Sequence, residues 1–125
     1  MYKVMVIDDD LDFLSEISRT LFLSGYYPVV LQDSGRAFRE IKKEKPSIIL
    51  LDLKMDRVSG FQIADMLSKD KRFKAIPVIG ITGYYTGKEH KTCMAICGIT
   101  NCLTKPFNPL DLISAIENLL QNKKV

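Results

Sequence analysis

The chain has 125 residues, of which 46% are hydrophobic and 26% are charged, and its formal net charge at pH 7 is +3. This length is enough for one domain, residues 1–125, to bury a core without disulfides or a structural metal. The basic excess is small and scattered along the chain, so we expect no direct binding of nucleic acid.

The N-terminal residues enter a strand directly, with no charged leader followed by a long apolar stretch. No apolar run is long enough to span a bilayer, so we expect no insertion into a membrane. The three cysteines are an odd number without a secretory signal, which favours reduced thiols. We therefore expect a cytoplasmic protein.

The first predicted strand, Val4–Ile7, ends on three consecutive acids, Asp8-Asp9-Asp10. Asp10 is the expected N-cap of the helix that follows. The buried stripe of this helix is predicted from apolar residues at helical spacing: Phe13, Leu14, Ile17 and Leu21. A second strand covers residues 27–31, and its Pro28 suits an edge position in the sheet.

The second predicted helix has Ser34 as its cap and ends before Pro46. The third strand is a continuous aliphatic run, residues 48–51, which stops on Asp52. A run of this kind is typical of a strand that is buried on both faces of a parallel sheet. A third helix opens at Ser59-Gly60.

The fourth strand, residues 78–81, ends on Thr82, and a fourth helix is predicted over residues 87–96. The fifth strand, residues 102–104, ends on Lys105-Pro106, and the last helix begins at Asn108-Pro109. This alternation predicts an α/β fold with a doubly wound parallel sheet of five strands, in the order 2-1-3-4-5, and five helices.

The ends of four predicted strands supply acids, among them Asp8, Asp9 and Asp52, together with a hydroxyl and an amine. In open α/β sheets these ends meet at one edge, where ligands bind. Two carboxylates about 4 Å apart repel by ~4 kcal/mol at an effective dielectric constant near 20. Three clustered acids therefore imply a cation, and Mg²⁺, which prefers oxygen ligands, fits such a site.

These four strand endings, taken together, resemble the receiver domain of bacterial two-component response regulators, and the resemblance runs from Lys3 to about Leu120. It implies a flavodoxin-like receiver architecture and a role in phosphorelay signal transduction. Asp52 would be the phosphoacceptor, with Thr82 and Lys105 contacting the phosphoryl group. The implied ligands of Mg²⁺ are Asp8, Asp9, Asp52 and the main-chain carbonyl of Lys54. The resemblance also predicts a cis peptide bond between Lys105 and Pro106.

The implied donor is a histidine kinase or a histidine phosphotransfer protein. The implied output face, which would bind a downstream protein or output domain, consists of the fourth helix, the fifth strand and the fifth helix. The resemblance leaves room for a homodimer that forms on phosphorylation. It predicts no enzymatic activity beyond self-phosphorylation and self-dephosphorylation. The sequence leaves open whether the chain is a stand-alone regulator or part of a longer protein.

Two residues depart from the receiver pattern. Asp56 stands where receivers usually have proline, and Cys102 stands where they usually have an aromatic residue that swings inward on activation. Tyr84 is a candidate to replace that aromatic, and a simple loop residue is the other interpretation. These departures keep open a degenerate receiver that acts as a binding scaffold without phosphorylation.

A phosphatase of the haloacid dehalogenase kind is a further alternative, because Asp8 and Asp10 form an Asp-x-Asp pattern after a first strand. That family expects threonine or valine two positions beyond the second aspartate, where this chain has Asp12. We therefore rank the phosphatase below the receiver.

Overall fold

The strands of the computed structural model form one parallel five-stranded sheet, in the predicted order β2-β1-β3-β4-β5. The structure describes residues 1–55, 58–83, 98–99 and 101–122. The strands are β1 (Lys3–Ile7), β2 (Tyr27–Leu31), β3 (Ile48–Asp52), β4 (Val78–Thr82) and β5 (Asn101–Thr104). The α-helices within the described ranges are α1 (Leu11–Leu23), α2 (Ala37–Glu44), α3 (Gly60–Lys69) and α4 (Pro109–Asn122).

The last predicted helix is thus α4. The predicted fourth helix lies outside the described residues, as do Tyr84 and Asp56. None of the helices within residues 1–55, 58–83 and 101–122 is long and apolar enough to cross a bilayer.

Apolar side chains on successive strand residues enter two different cores, one on each face of the sheet. Val4 and Val6 join the core that is completed by α1 and α4, whereas Met5 and Ile7 join the core beside α2 and α3. Successive residues of a strand point to opposite faces of the sheet because the side-chain period of a strand is two. All five residues of β3 are buried, as the aliphatic run before Asp52 predicts.

Side-chain caps set the starts of α1, α3 and α4. Asp10 caps α1, accepting hydrogen bonds from the backbone N–H groups of residues 12 and 13. Ser59 and Gln62 form a capping box at the start of α3. The Asn108 side chain accepts a hydrogen bond from the Leu110 N–H at the start of α4, so the predicted start of this helix is confirmed.

The prediction that Ser34 caps the second helix was wrong. A 3-10 helix, Ser34–Arg36, precedes α2, and the Asp33 carboxylate accepts the hydrogen bond from Gly35 N–H. The Ser34 side chain is buried and its Oγ accepts from the Val58 N–H at 3.1 Å. Asp33 caps the 3-10 helix, whereas α2 begins after Arg36 without a side-chain cap hydrogen bond. The serine hydroxyl satisfies a backbone donor of the loop after β3.

The register of the sheet brings the ends of four strands to one edge. Asp52 pairs with Ile81 of β4, so Thr82 lies one residue further along, and Thr82 in turn pairs with Thr104 of β5. Ile7, the last residue of β1, pairs with Leu51. The residues that follow these positions therefore surround one depression at the carboxyl edge of the sheet.

Candidate functional site

An acidic cluster occupies this edge of the sheet. Asp8, Asp9 and Asp52 each offer a carboxylate oxygen, and these three oxygens all lie within 4.8 Å of one another. Asp8 is fully buried and Asp52 is 8% exposed, whereas Asp9 is exposed to solvent. Three carboxylates this close and this poorly hydrated repel one another unless a cation lies among them. The set is all oxygen and partly open to water, which is the donor chemistry that Mg²⁺ prefers.

A lysine from the opposite end of the chain neutralises part of this cluster. Lys105 Nζ donates to Asp8 Oδ2 at 2.8 Å, and the lysine side chain is 27% exposed. The other oxygen of Asp8, Oδ1, accepts a hydrogen bond from the Asp10 N–H at 2.9 Å. The buried carboxylate of Asp8 therefore has a charged partner and a backbone donor, as a buried charge requires.

The carboxyl group of Asp52 has a raised pKa. Burial is the main reason that its pKa is raised to about 6. The Lys54 N–H, which donates to Asp52 Oδ1 at 3.0 Å, lowers this pKa, and the neighbouring Asp8 carboxylate raises it. Smaller opposing effects come from the charges of Lys105 and Asp9. A carboxyl group with a pKa near 6 at a sheet edge is typical of a functional position.

Thr82 and Lys105 are joined through their main chains. The Lys105 N–H donates to the Thr82 carbonyl at 2.7 Å, so the end of β4 fixes where the chain turns after β5. Thr82 is 1% exposed. The peptide bond between Lys105 and Pro106 is cis, as predicted. The structure thus brings together Asp8, Asp9, Asp52, Thr82 and Lys105, while the Lys54 main chain contacts Asp52 through its N–H.

The sequence did not reveal the importance of Gly60, which it marked only as a helix start. A Cβ atom at this position would collide with the main-chain carbonyl oxygen of Asp52 and would lie 2.8 Å from Leu53 Cα. The absence of a side chain therefore lets the first turn of α3 press against the end of β3. The available signal in the sequence was the glycine itself, because glycine has a lower helix propensity than alanine and would need another reason to stand in a helix.

Phe13 is the second residue whose position the sequence did not predict. The helical period placed it in the buried stripe of α1, but it is only partly buried, whereas Leu14, Ile17 and Leu21 are buried. Its ring lies beneath the lysine of the site, with Lys105 Nζ 3.9 Å from the ring centroid. No local pattern connects residues this far apart in the chain, so the contact appears only in the fold.

Cys102, at the position where receivers usually have an aromatic residue, lies in β5 and is half-buried. It pairs in register with Gly80 of β4 and packs against the core beside α2 and α3. A Cβ atom added at Gly80 would meet the side chains of Leu53 and Ile99 at 3.1 and 3.3 Å, so these two residues cover the glycine. Burial raises the pKa of the Cys102 thiol.

Comparison with known proteins agrees with this arrangement. The profile of the family described as "Response regulator receiver domain" matches residues 4–117. The chain is 28% identical over 119 residues to the phosphate regulon transcriptional regulatory protein PhoB of Pseudomonas aeruginosa, a match that covers 94% of this chain and 51% of that protein. It is 23% identical over 124 residues to the alkaline phosphatase synthesis transcriptional regulatory protein PhoP of Bacillus subtilis, covering 98% and 50%.

Solved structures show the same fold. The chemotaxis protein CheY4 of Vibrio cholerae superposes with a TM-score of 0.89 at 28% identity, covering 95% of this chain and 98% of that one. A CheY-like receiver domain protein of Methanospirillum hungatei gives a TM-score of 0.91 at 23% identity, covering 99% and 97%. The chain spans about half the length of the curated relatives it matches. The profile match and the shared fold show that the chain belongs to the response regulator receiver domains, the signalling domains of two-component systems.

Proposed function

We propose that this chain accepts a phosphoryl group on Asp52, with Mg²⁺ as cofactor, and that residues 1–125 act as one receiver domain. The observation that carries the proposal is the acidic cluster of Asp8, Asp9 and Asp52 with the Lys105 ammonium against it. The donor would be a histidine kinase or a histidine phosphotransfer protein, as in other two-component systems.

The chemical step assigned to Asp52 is nucleophilic attack on phosphorus. One carboxylate oxygen forms the new P–O bond while the bond between phosphorus and the donor breaks, and the leaving group keeps the electron pair and takes up a proton. Because the pKa of Asp52 is raised only to about 6, the carboxylate is mostly ionised at neutral pH. The Lys54 N–H holds Oδ1, so we assign the attack to Oδ2.

The other residues supply charge and hydrogen bonds to the phosphoryl group. The Lys105 ammonium would contact one phosphoryl oxygen and the Thr82 hydroxyl another, since phosphoryl transfer depends mainly on positioning and charge neutralisation. The residues assigned to hold Mg²⁺ are Asp8, Asp9, Asp52 and the Lys54 carbonyl. The ion, when bound, would neutralise the charge that three carboxylates and a phosphoryl group bring together.

Phosphorylation would alter the surface formed by the predicted fourth helix, β5 and α4, and a downstream protein or output domain would bind there. Phosphorylation-linked homodimerisation would use the same face. PhoB and PhoP are transcriptional regulatory proteins of which this chain matches about half. An output domain elsewhere in a longer protein is therefore one arrangement compatible with the proposal, and direct nucleic-acid binding by these residues is not part of it.

The two alternatives have less support. The receiver profile over residues 4–117 does not favour a haloacid-dehalogenase phosphatase. A scaffold that works without phosphorylation would have no need of a buried Asp8 paired with Lys105 beside an Asp52 of raised pKa.

The decisive experiment is intact mass spectrometry after incubation with a small phosphodonor such as acetyl phosphate. We expect one phosphoryl group to be added in Mg²⁺ and none in excess chelator or in Asp52→Asn. The matched control is Asp12→Asn, which removes an exposed acid four residues from Asp8 and should label normally. Full labelling of Asp52→Asn, or of the native chain in chelator, would refute the proposal.

A further inference from the structure

The Lys105 ammonium lies between a carboxylate and an aromatic ring. Its Nζ is 2.8 Å from Asp8 Oδ2 and 3.9 Å from the centroid of the Phe13 ring. A cation over the face of a ring at this distance is attracted by the quadrupole of the π system. Because the lysine side chain is only 27% exposed, water screens this attraction less than it would at an open surface.

Phe13 is held by the same loop that carries the acids. Its N–H donates to the Asp10 carboxylate at 3.2 Å, which fixes the first turn of α1 directly after Asp8. A second ring, Phe107, packs against Phe13 in a T-shaped arrangement, with the two centroids 6.0 Å apart and the planes at 81°. Phe107 follows Lys105 by two residues. Phe13 is therefore held in place from two segments: its backbone is bonded to the loop after β1, and its ring packs against Phe107 in the segment after β5.

The Phe13 ring provides an attraction for the Lys105 ammonium that does not depend on Asp8. In the proposed function Asp8 contacts both Lys105 and the metal ion, and a carboxylate whose charge is shared with a divalent cation attracts the lysine less strongly. An ammonium has three N–H donors, and a ring face attracts the charge without neutralising it. A lysine held by Phe13 can therefore stay over the pocket and still direct an N–H at a phosphoryl oxygen.

We propose that Phe13 is a positioning residue that holds the Lys105 ammonium over the phosphorylation pocket through the face of its ring. This assignment rests on the proposed function, since it assumes that Lys105 contacts the phosphoryl group. The role assigned to the ring is exerted through its contact with the Lys105 ammonium.

The test replaces Phe13 with phenylalanines that carry one, two and three ring fluorines, incorporated at this codon alone. Fluorination keeps the ring but weakens its quadrupole, so the rate of phosphorylation by acetyl phosphate should fall stepwise. Phe13→Leu should lower that rate roughly 3- to 10-fold, the range expected for a partly desolvated cation over a ring. The matched control is the same fluorinated series at Phe22, which is on the same helix and 62% exposed.

Two further measurements separate positioning from a structural role. In a Lys105→Met background the fluorinated series should have no effect, because the cation is gone. The ε-methylene protons of Lys105 should be shifted upfield by the ring current of Phe13, and Phe13→Leu should abolish that shift in the unphosphorylated protein.

The results of these measurements separate a failure of the Phe13 role from a failure of the proposed function. A stepwise fall at position 13 that disappears in Lys105→Met supports the proposal. A flat series in a chain that labels normally, a missing ring-current shift, or a fall that persists in Lys105→Met would overturn the role of Phe13 alone. If the native chain takes no phosphoryl group, the proposed function fails and the positioning role fails with it.

Discussion

Replacement of Asp52 by asparagine should stabilise the metal-free protein, and the stabilisation should grow with pH. The native state raises the pKa of Asp52 from 3.8 to about 6, chiefly by burial beside Asp8. One pKa unit is worth about 1.36 kcal/mol, so ionisation of this group in the folded protein opposes folding by about 3 kcal/mol. Asparagine has nearly the same shape and keeps an oxygen for the Lys54 N–H.

The sign follows from the protons bound in each state. Below pH 3.8 both states hold the proton on Asp52, and the group contributes nothing. Between pH 3.8 and about 6 the unfolded chain releases its proton while the folded protein retains it, so the stability of the native protein falls as pH rises. Above pH 6 the penalty is constant. At pH 5 it should be roughly half of its final value.

The measurement is urea unfolding at pH 5 and pH 7.5, with chelator present in both buffers. The advantage of Asp52→Asn over the native chain should be larger at pH 7.5 than at pH 5, by roughly half of the full penalty. Glu16→Gln, which neutralises an exposed acid on α1, is the control and should show no such difference. An advantage that is equal at both pH values would show that Asp52 ionises in the native state as it does in the unfolded chain.

Three further predictions concern the metal, the packing at β3 and the switch. Asp9→Asn should weaken Mg²⁺ binding, measured by calorimetry, more than any other substitution that spares Asp52, and binding equal to that of Asp12→Asn would contradict this. Gly60→Ala should lower the free energy of unfolding by about 2 kcal/mol or more and slow phosphorylation, because the added methyl meets main-chain atoms. Gly83→Ala, where the added atom has no neighbour within 4 Å among the residues that the structure describes, is its control, and equal effects of the two would refute the steric argument. Cys102→Tyr should increase the dependence of partner affinity on a phosphoryl mimic, and an unchanged dependence would exclude this position from the switch.

The sequence predicted the sheet and the strand ends because both depend on local patterns. An aliphatic run of four or five residues reports a strand that is buried on both faces, and the polar residue after it marks the edge. The cap at Asp10 and the start of a helix at Ser59-Gly60 were predicted for the same reason, since a cap bonds to N–H groups only two or three residues away. Asp33 and Ser34 are neighbours that could each have served as a cap, and the local sequence does not show which of them does.

Other features of the site depend on contacts that no local pattern encodes. The ring of Phe13 contacts Lys105, which follows β5. Helical spacing indicates only that Phe13 is one of the apolar residues of α1. Gly60 matters because of the carbonyl it approaches, which belongs to another element. The raised pKa of Asp52 likewise comes from burial and from an acid on a neighbouring strand.

The ion pair between Asp8 and Lys105 joins residues 97 positions apart. Asp8 directly follows β1, and Lys105 directly follows β5. During synthesis, the two acids of the first loop and Asp52 leave the ribosome well before the lysine that neutralises them. Until β5 is added to the sheet, the carboxylate of Asp8 lacks the Lys105 ammonium. The nascent chain should therefore be unable to accept a phosphoryl group efficiently, and competence to receive a signal should arise only when the sheet is complete.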